Sequence, residues 1–198
     1  MSRVTAQAAA IDTTDGRRRR GQDNRERIVT ALMALIHEGN LSPSAEQVAA
    51  QADVGLRTVF RHFQDMDSLY REISKVIEAE LQLIIARPMQ AQDWRGRLME
   101  LIARRAEVFE RIGPFKRAAD ALRHRSRFLG SDHDRLVGGL RALLTAVLPP
   151  QIVSDPLKME ALDLLMSFEA WSRLRQEQRL PPDRAQAVVE AAVARTIG

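Results

Sequence analysis

The chain contains no cysteine, which excludes disulfide staples and thiolate-based zinc or iron–sulfur sites and suits a reducing cytoplasm. No stretch approaches the ~18 consecutive apolar residues that a membrane span needs, so no membrane partner is expected. The segment from Met1 to Thr14 lacks the apolar run of a signal peptide. No alternating apolar–polar pattern of a strand competes with helical spacing. A Gly-rich phosphate loop is missing, and so is a His pair at metal-ligand spacing, since His37, His62, His124 and His133 are scattered. No enzyme site can be assembled from what remains, and no cofactor is implied.

What is present is a balance of 45% hydrophobic and 28% charged residues over 198 positions, that of a globular chain. The net charge of +4 is a mild lean toward polyanions, and its distribution matters more than its size. Residues 1–20 read as a disordered basic arm. The first sixteen are small, polar and aperiodic, and Arg17-Arg18-Arg19-Arg20 follows, a run that stays extended unless a polyanion neutralises it. A solvated tail and an arm on DNA phosphates are both open readings of it.

Helical spacing begins at Asp23. Ile28, Leu32, Leu35 and Ile36 form one stripe on a first helix that Gly39-Asn40 ends. Pro43-Ser44 opens a second, short helix, in which Ser44 and Gln47 have the spacing of a capping box. Val48, Ala49 and Ala52 give it a small buried face, and Val54-Gly55 interrupts it near Asp53. A third helix, from Leu56 to Phe63, follows at once. Two short helices separated by a tight turn have the spacing of a helix-turn-helix. Val59 and Phe63 point inward; Leu56, Arg57, Thr58, Arg61 and His62 point outward. An α-helix fits the major groove, where arginine bridges guanine O6 and N7 and an apolar group such as Leu56 meets a thymine methyl. Thr58 and His62 suit phosphate oxygens, which set register without reading sequence.

Residues from about Arg25 to Tyr70 resemble the DNA-binding domain of the TetR family. The pattern is matched at Ser44, Val48, Ala49, Ala52, Val54, Thr58, Val59, His62, Phe63 and Leu69. The family's usual Gly is Asp53 here, its recognition-helix Ser is Gly55, its Tyr is Phe60, which keeps an aromatic packing body, and its Lys before the fourth helix is Met66. The resemblance implies an all-α fold of about nine helices: a helix-turn-helix domain over residues 21–66 and a helical effector-binding and dimerisation domain over 67–198. It implies DNA contacts at Ser44, Gly55, Leu56, Arg57, Thr58, Phe60, Arg61 and His62. It also implies a cytoplasmic homodimer paired through its last two helices on a pseudo-palindromic operator in double-stranded DNA, most often a repressor released by a small-molecule effector. A helical interaction protein of the same fold, without operator binding, is the rival class.

Downstream, a fourth helix capped by Asp65 or Asp67 carries Leu69, Ile73, Val76, Ile77, Leu81 and Ile84. Further helices are expected over Asp93–Glu110, broken by Gly113-Pro114, over Phe115 to Arg125, and over Asp132–Leu148 with Leu136, Leu140, Leu143, Leu144 and Val147. Asp155-Pro156 opens a segment 155–178 with Leu157, Ala161, Leu164, Leu165, Phe168 and Trp171, and 183–197 closes the chain. The small residues Ala185, Ala187, Ala191, Ala192 and Ala194 suit close helix pairing. Trp94, Met99, Phe109, Phe115, His124, Phe128, Met166 and Trp171 are the candidates to line an effector pocket, with ordinary core as the alternative for each.

Overall fold

The computed structural model describes residues 21–198, among which there are ten α-helices, one π-helical segment and no strand. The Arg17–Arg20 run and the rest of the predicted arm lie outside the described residues. Contacts divide the chain into two compact units, one ending at Ser74 and one beginning at Lys75.

In the first unit, α1 covers residues 21–37. It ends in a Schellman turn: Gly39, at φ +94°, donates to the Ile36 carbonyl and Asn40 donates to that of Leu35, both at 3.0 Å. The capping box of α2 (Ala45–Gln51) forms as its spacing requires. Ser44 Oγ accepts from the Gln47 N–H at 3.3 Å, and Gln47 Oε1 accepts from that of Ser44 at 2.9 Å. A second Schellman turn closes α2, with Asp53 donating to Ala50 O at 3.1 Å and Val54 to Ala49 O at 3.0 Å. The residue in the left-handed position is Asp53 itself, at φ +51°. From α1, Arg27 Nη2 reaches across to the Ala52 carbonyl at 2.6 Å, the Asp53 carbonyl at 3.2 Å and Asp53 Oδ2 at 3.3 Å. It thereby satisfies carbonyls to which no helical N–H donates and places a cation at the negative end of α2. Gly55 then caps α3 (Leu56–His62) without a side chain. Ile28, Leu32, Ile36, Val48, Val59, Phe63 and Leu69 are all nearly inaccessible and make the core that these turns surround.

Helix α4 (Met66–Ile85) starts at Asp65, whose Oδ1 accepts from the Ser68 N–H at 2.7 Å. Asp67 sits inside the first turn, where it meets the positive helix end but caps nothing. Of the expected α4 stripe, Leu69, Ile73, Leu81 and Ile84 are buried, whereas Val76 is exposed.

The second unit departs from expectation in three places. The break at Gly113-Pro114 does not occur: α5 is one helix, Trp94–Leu122, with Pro114 inside it. An interior proline costs ~3 kcal/mol, but Ile112, Gly113, Phe115, Lys116 and Ala118 on either side are all buried, and α5 packs on three helices introduced below. Burial on both sides of the proline outweighs the local penalty. Helix α6 (Arg127–Val147) begins five residues earlier than Asp132, because Ser126 Oγ caps it through the Leu129 N–H at 3.0 Å. After the short α7 (Pro150–Val153), the segment expected to be one helix over 155–178 splits. Asp155 caps α8 (Pro156–Leu165), which stops at Met166. Ser167 then caps α9 (Phe168–Ser172) through the Ala170 N–H, and a π-helical turn, Arg173–Glu177, follows. Helix α10 (Pro182–Ile197) closes the unit.

The core joins Leu98, Leu101, Ile102 and Phe109 of α5 to Leu144, Met159, Leu162, Trp171 and Val193, and α5 packs on α6, α9 and α10. Phe109 and Phe168 meet edge to face, with centroids 5.6 Å apart. Because α8 turns Met159 and Leu162 inward, Leu157 and Leu164 of the expected stripe are left 83% and 67% exposed, and Leu143 of α6 is exposed as well.

The backbone at Asp53 is the most constrained point of the first unit and yields a test. Left-handed geometry disfavours a β-branched residue by about 1–2 kcal/mol, so Asp53→Val should lower the unfolding free energy by that amount in urea titrations, while Asp53→Gly should not lower it. Equal losses in both variants would place the effect in the exposed ion pair with Arg27.

Candidate nucleic-acid interface

The arrangement of α3 follows from which of its residues the first unit needs. Val59 and the C-cap residue Phe63, each 2% exposed, are spent on the core. The remaining face carries Leu56, Arg57, Phe60 and Arg61, all exposed, and Thr58, half-buried. Phe60 is 51% exposed, so it is not the packing body expected at that position; its ring stands on the same outward face as Arg57 and Arg61. Neither of these arginines has an ion-pair partner among the described residues. Ser44 contributes its hydroxyl to the α2 cap, and the backbone N–H groups at the start of α2 lie beside it.

His62 is set differently. Its Nε2 is buried without a hydrogen-bond partner among the described residues. Burial, reinforced by the nearby Arg61 and Arg25 charges, holds its pKa below the usual imidazole value, so the ring is neutral at pH 7. Arg25 organises this corner: its Nη1 donates to the His62 carbonyl at 3.1 Å, its guanidinium lies 4.5 Å from the Phe63 ring centroid, and it pairs with Glu72 at 3.1 Å. Sequence reading passed over Arg25 and Arg27. Both stand on α1, outside the motif, and only the fold shows that they tie α1 to the ends of α3 and α2.

The residues nominated for a ligand pocket are scattered. Phe109, Met166 and Trp171 are buried and together border a small cavity closed by Ile102, Arg105 and Val189. Trp94 and Met99 pack partly buried on the same core. Phe115 is buried and Phe128 half-buried elsewhere, while His124 is exposed in the turn after α5. Trp171 Nε1 donates to Glu110 Oε1 at 2.8 Å, and Glu110 also takes Arg175 on both oxygens, at 2.7 and 3.0 Å. These contacts hold the Glu110 carboxyl below its usual range, Arg175 first and Trp171 after it. No group of acidic or histidine side chains able to hold a metal ion occurs among the described residues, and no helix among them is long and apolar enough to cross a membrane.

No protein-family model matches this sequence, and no curated protein does. Solved structures do match in fold. One is a transcriptional regulator from Rhodococcus sp. Rha1, with a TM-score of 0.66 at 16% identity, covering 87% of this chain and 95% of that one. Another is the multidrug binding protein EbrR complexed with imidazole, with a TM-score of 0.61 at 21% identity, covering 87% of this chain and 88% of that one. The chain therefore shares an all-helical fold with these two proteins along nearly their whole length.

Proposed function

We propose that this protein is a TetR-like DNA-binding transcriptional regulator, a homodimer that represses by occupying a pseudo-palindromic operator and leaves it when a small molecule binds the second unit. The observation that carries this reading is α3. It is a short helix with a buried underside whose outer face combines two arginines, without an ion-pair partner among the described residues, with two exposed apolar side chains, Leu56 and Phe60. Exposed apolar groups flanked by cations match a major groove, which offers thymine methyls and guanine acceptors between two rows of phosphates. The fold shared with a transcriptional regulator and with a multidrug binding protein supports the same division of labour.

In this reading Arg57 and Arg61 meet base edges, and Thr58, His62 and the start of α2 at Ser44 meet phosphates. Leu56 and Phe60 pack on methyl groups, and Gly55 lets the backbone come close. A ligand would release DNA by favouring a spacing of the two α3 helices that no longer fits successive grooves. Dimerisation through α8 and α10 explains why Leu157 and Leu164 are left exposed on α8, and why Ala187, Ala191 and Ala194 stand exposed at helical spacing on α10. Ala185 serves its own unit's core instead.

Three measurements test this reading. Fluorescence anisotropy on the DNA upstream of the protein's own gene should show specific binding that Arg57→Ala weakens by about 1–3 kcal/mol, with relaxed base preference. Binding that is indifferent to sequence and lost at physiological salt would instead identify a helical interaction protein. Phosphates near His62 raise its pKa from the depressed value of the free protein, so the complex holds a proton that free protein lacks. Affinity should therefore rise as pH falls from about 7.5 to about 5.5, and His62→Gln should remove that rise; an unchanged slope would place His62 away from DNA. Sedimentation should show a dimer at micromolar concentration that Leu157→Glu combined with Ala191→Glu converts to monomer, whereas a monomeric wild type would overturn the dimeric reading.

A further inference from the structure

Helix α5 carries two cations at positions where the fold asks for apolar side chains. Leu98, Ile102, Arg105, Phe109, Ile112 and Lys116 follow one another at alternating steps of four and three, so all six fall on one stripe. Arg105 is 4% exposed and Lys116 7%. Both line a cleft of about 300 Å³ whose other walls come from α6, α8 and α9, including Leu140, Leu164, Ser167 and Phe168.

The partners of the two cations are unequal. Lys116 pairs with Asp120 and, at 3.9 Å, with Glu169; it lies 3.1 Å from His133 Nδ1 and 5.3 Å from the Phe168 ring centroid. Arg105 has no carboxylate in contact among the described residues. Its Nη1 donates to the Met166 carbonyl at 2.8 Å and its Nη2 to that of Leu140, while Nε is buried without a partner among the described residues. Burial lowers its pKa to about 10, and Asp163 offsets only part of that, so the group is still a cation at neutral pH. Carboxylates do border the cleft, but Arg141 holds two of them, Glu160 at 3.0 Å and Asp163 at 2.8 Å. Glu160 and Glu169 have side chains 65% and 58% exposed, where solvent screens them. The carboxylates thus gather around Arg141 and Lys116, while the guanidinium of Arg105, deeper in the wall, meets backbone carbonyls alone among the described residues. A buried cation held only by carbonyls, with one N–H unmet, is costly, and a ligand anion reduces that cost.

From these observations we infer that the cleft binds an amphipathic organic anion, a single carboxylate on an apolar body. The carboxylate faces Arg105 and Lys116, and the apolar part lies on Leu140, Leu164 and Phe168. The Ser167 hydroxyl, which accepts from the Ala170 N–H at 3.1 Å, keeps its own proton to donate to the same carboxylate. This rests on the proposed regulator only in calling the anion an effector; the binding itself is independent of DNA.

Octanoate, octanol and octylammonium share one chain and differ in head group, and titration calorimetry of each into the full chain decides the assignment. Octanoate should bind at least about tenfold more tightly than the other two. Arg105→Met and Lys116→Met, which exchange a buried ion for an apolar group of similar length and so need not unfold the protein, should each erase that preference while urea midpoints stay close to wild type. If one variant fails to fold, the other decides. Equal binding of all three compounds, preference for octylammonium, no binding, or an octanoate preference that survives in a folded variant overturns the inference. Parallel anisotropy on the upstream DNA separates the two readings: octanoate binding without DNA binding removes the regulator alone, and DNA binding without octanoate preference removes the anion alone.

Discussion

The orientation of α3 depends on how α2 ends. Between the two helices the chain has three residues, Asp53 to Gly55, counting from the α2 cap Ala52, in which to turn. It does so by placing Asp53 in the left-handed region, where a side chain other than glycine's is tolerated at some cost. The cost is met locally. Arg27 gathers the two carbonyls that the turn leaves open and the Asp53 carboxylate as well. A glycine would need no such clamp. With Asp53 in place, α1 becomes part of the turn, and the angle of the outward face of α3 is set by a side chain twenty-five residues upstream.

Much of this was legible in sequence because the devices are local. Ser44 and Gln47 declare a capping box by spacing, and Gly39 declares an end. Val59 and Phe63 declare the buried side of α3. What was not legible depends on tertiary burial. Pro114 reads as a break because its missing N–H is a local fact, whereas the packing of Ile112, Phe115 and Ala118 that carries α5 through it is a property of the whole second unit. The stripe on α8 was misread for the same reason. Leu157 and Leu164 are as apolar as Met159 and Leu162, and periodicity alone cannot say which of two adjacent faces meets the core. The site on α3 was readable as a surface; Arg25 and Arg27, which hold it, had no motif to announce them.

The two units break the inside–outside rule in opposite ways. In the first, apolar Leu56 and Phe60 stand in solvent beside the exposed Arg57 and Arg61; in the second, charged Arg105 and Lys116 stand in the core register of α5. Each violation costs stability in the free protein, since the first leaves apolar area wet and the second desolvates a charge. Arg105 ties α5 to the Met166 and Leu140 carbonyls, but neither violation is needed to bury apolar area. Leucine in place of Arg105 would extend the stripe that Ile102 and Phe109 already form, and a polar residue in place of Phe60 would leave the core of the first unit untouched. Costs of this kind persist where a partner cancels them on binding, so they mark surfaces by energetics and not by composition alone.

The same argument ranks the nominated ligand residues. Phe109, Met166 and Trp171 satisfy every local rule: they are apolar, buried and surrounded by other apolar groups. Their presence follows from the need for a core, and the small cavity they border adds no requirement that packing leaves unmet. Arg105 does leave one: among the described residues its Nε–H has no acceptor, and its charge is offset only in part, by Asp163. Bulk and aromaticity therefore discriminate poorly between lining and filling in a helical bundle. An incompletely satisfied ion at a core position discriminates better, because among the described residues its hydrogen bonds go only to carbonyl oxygens.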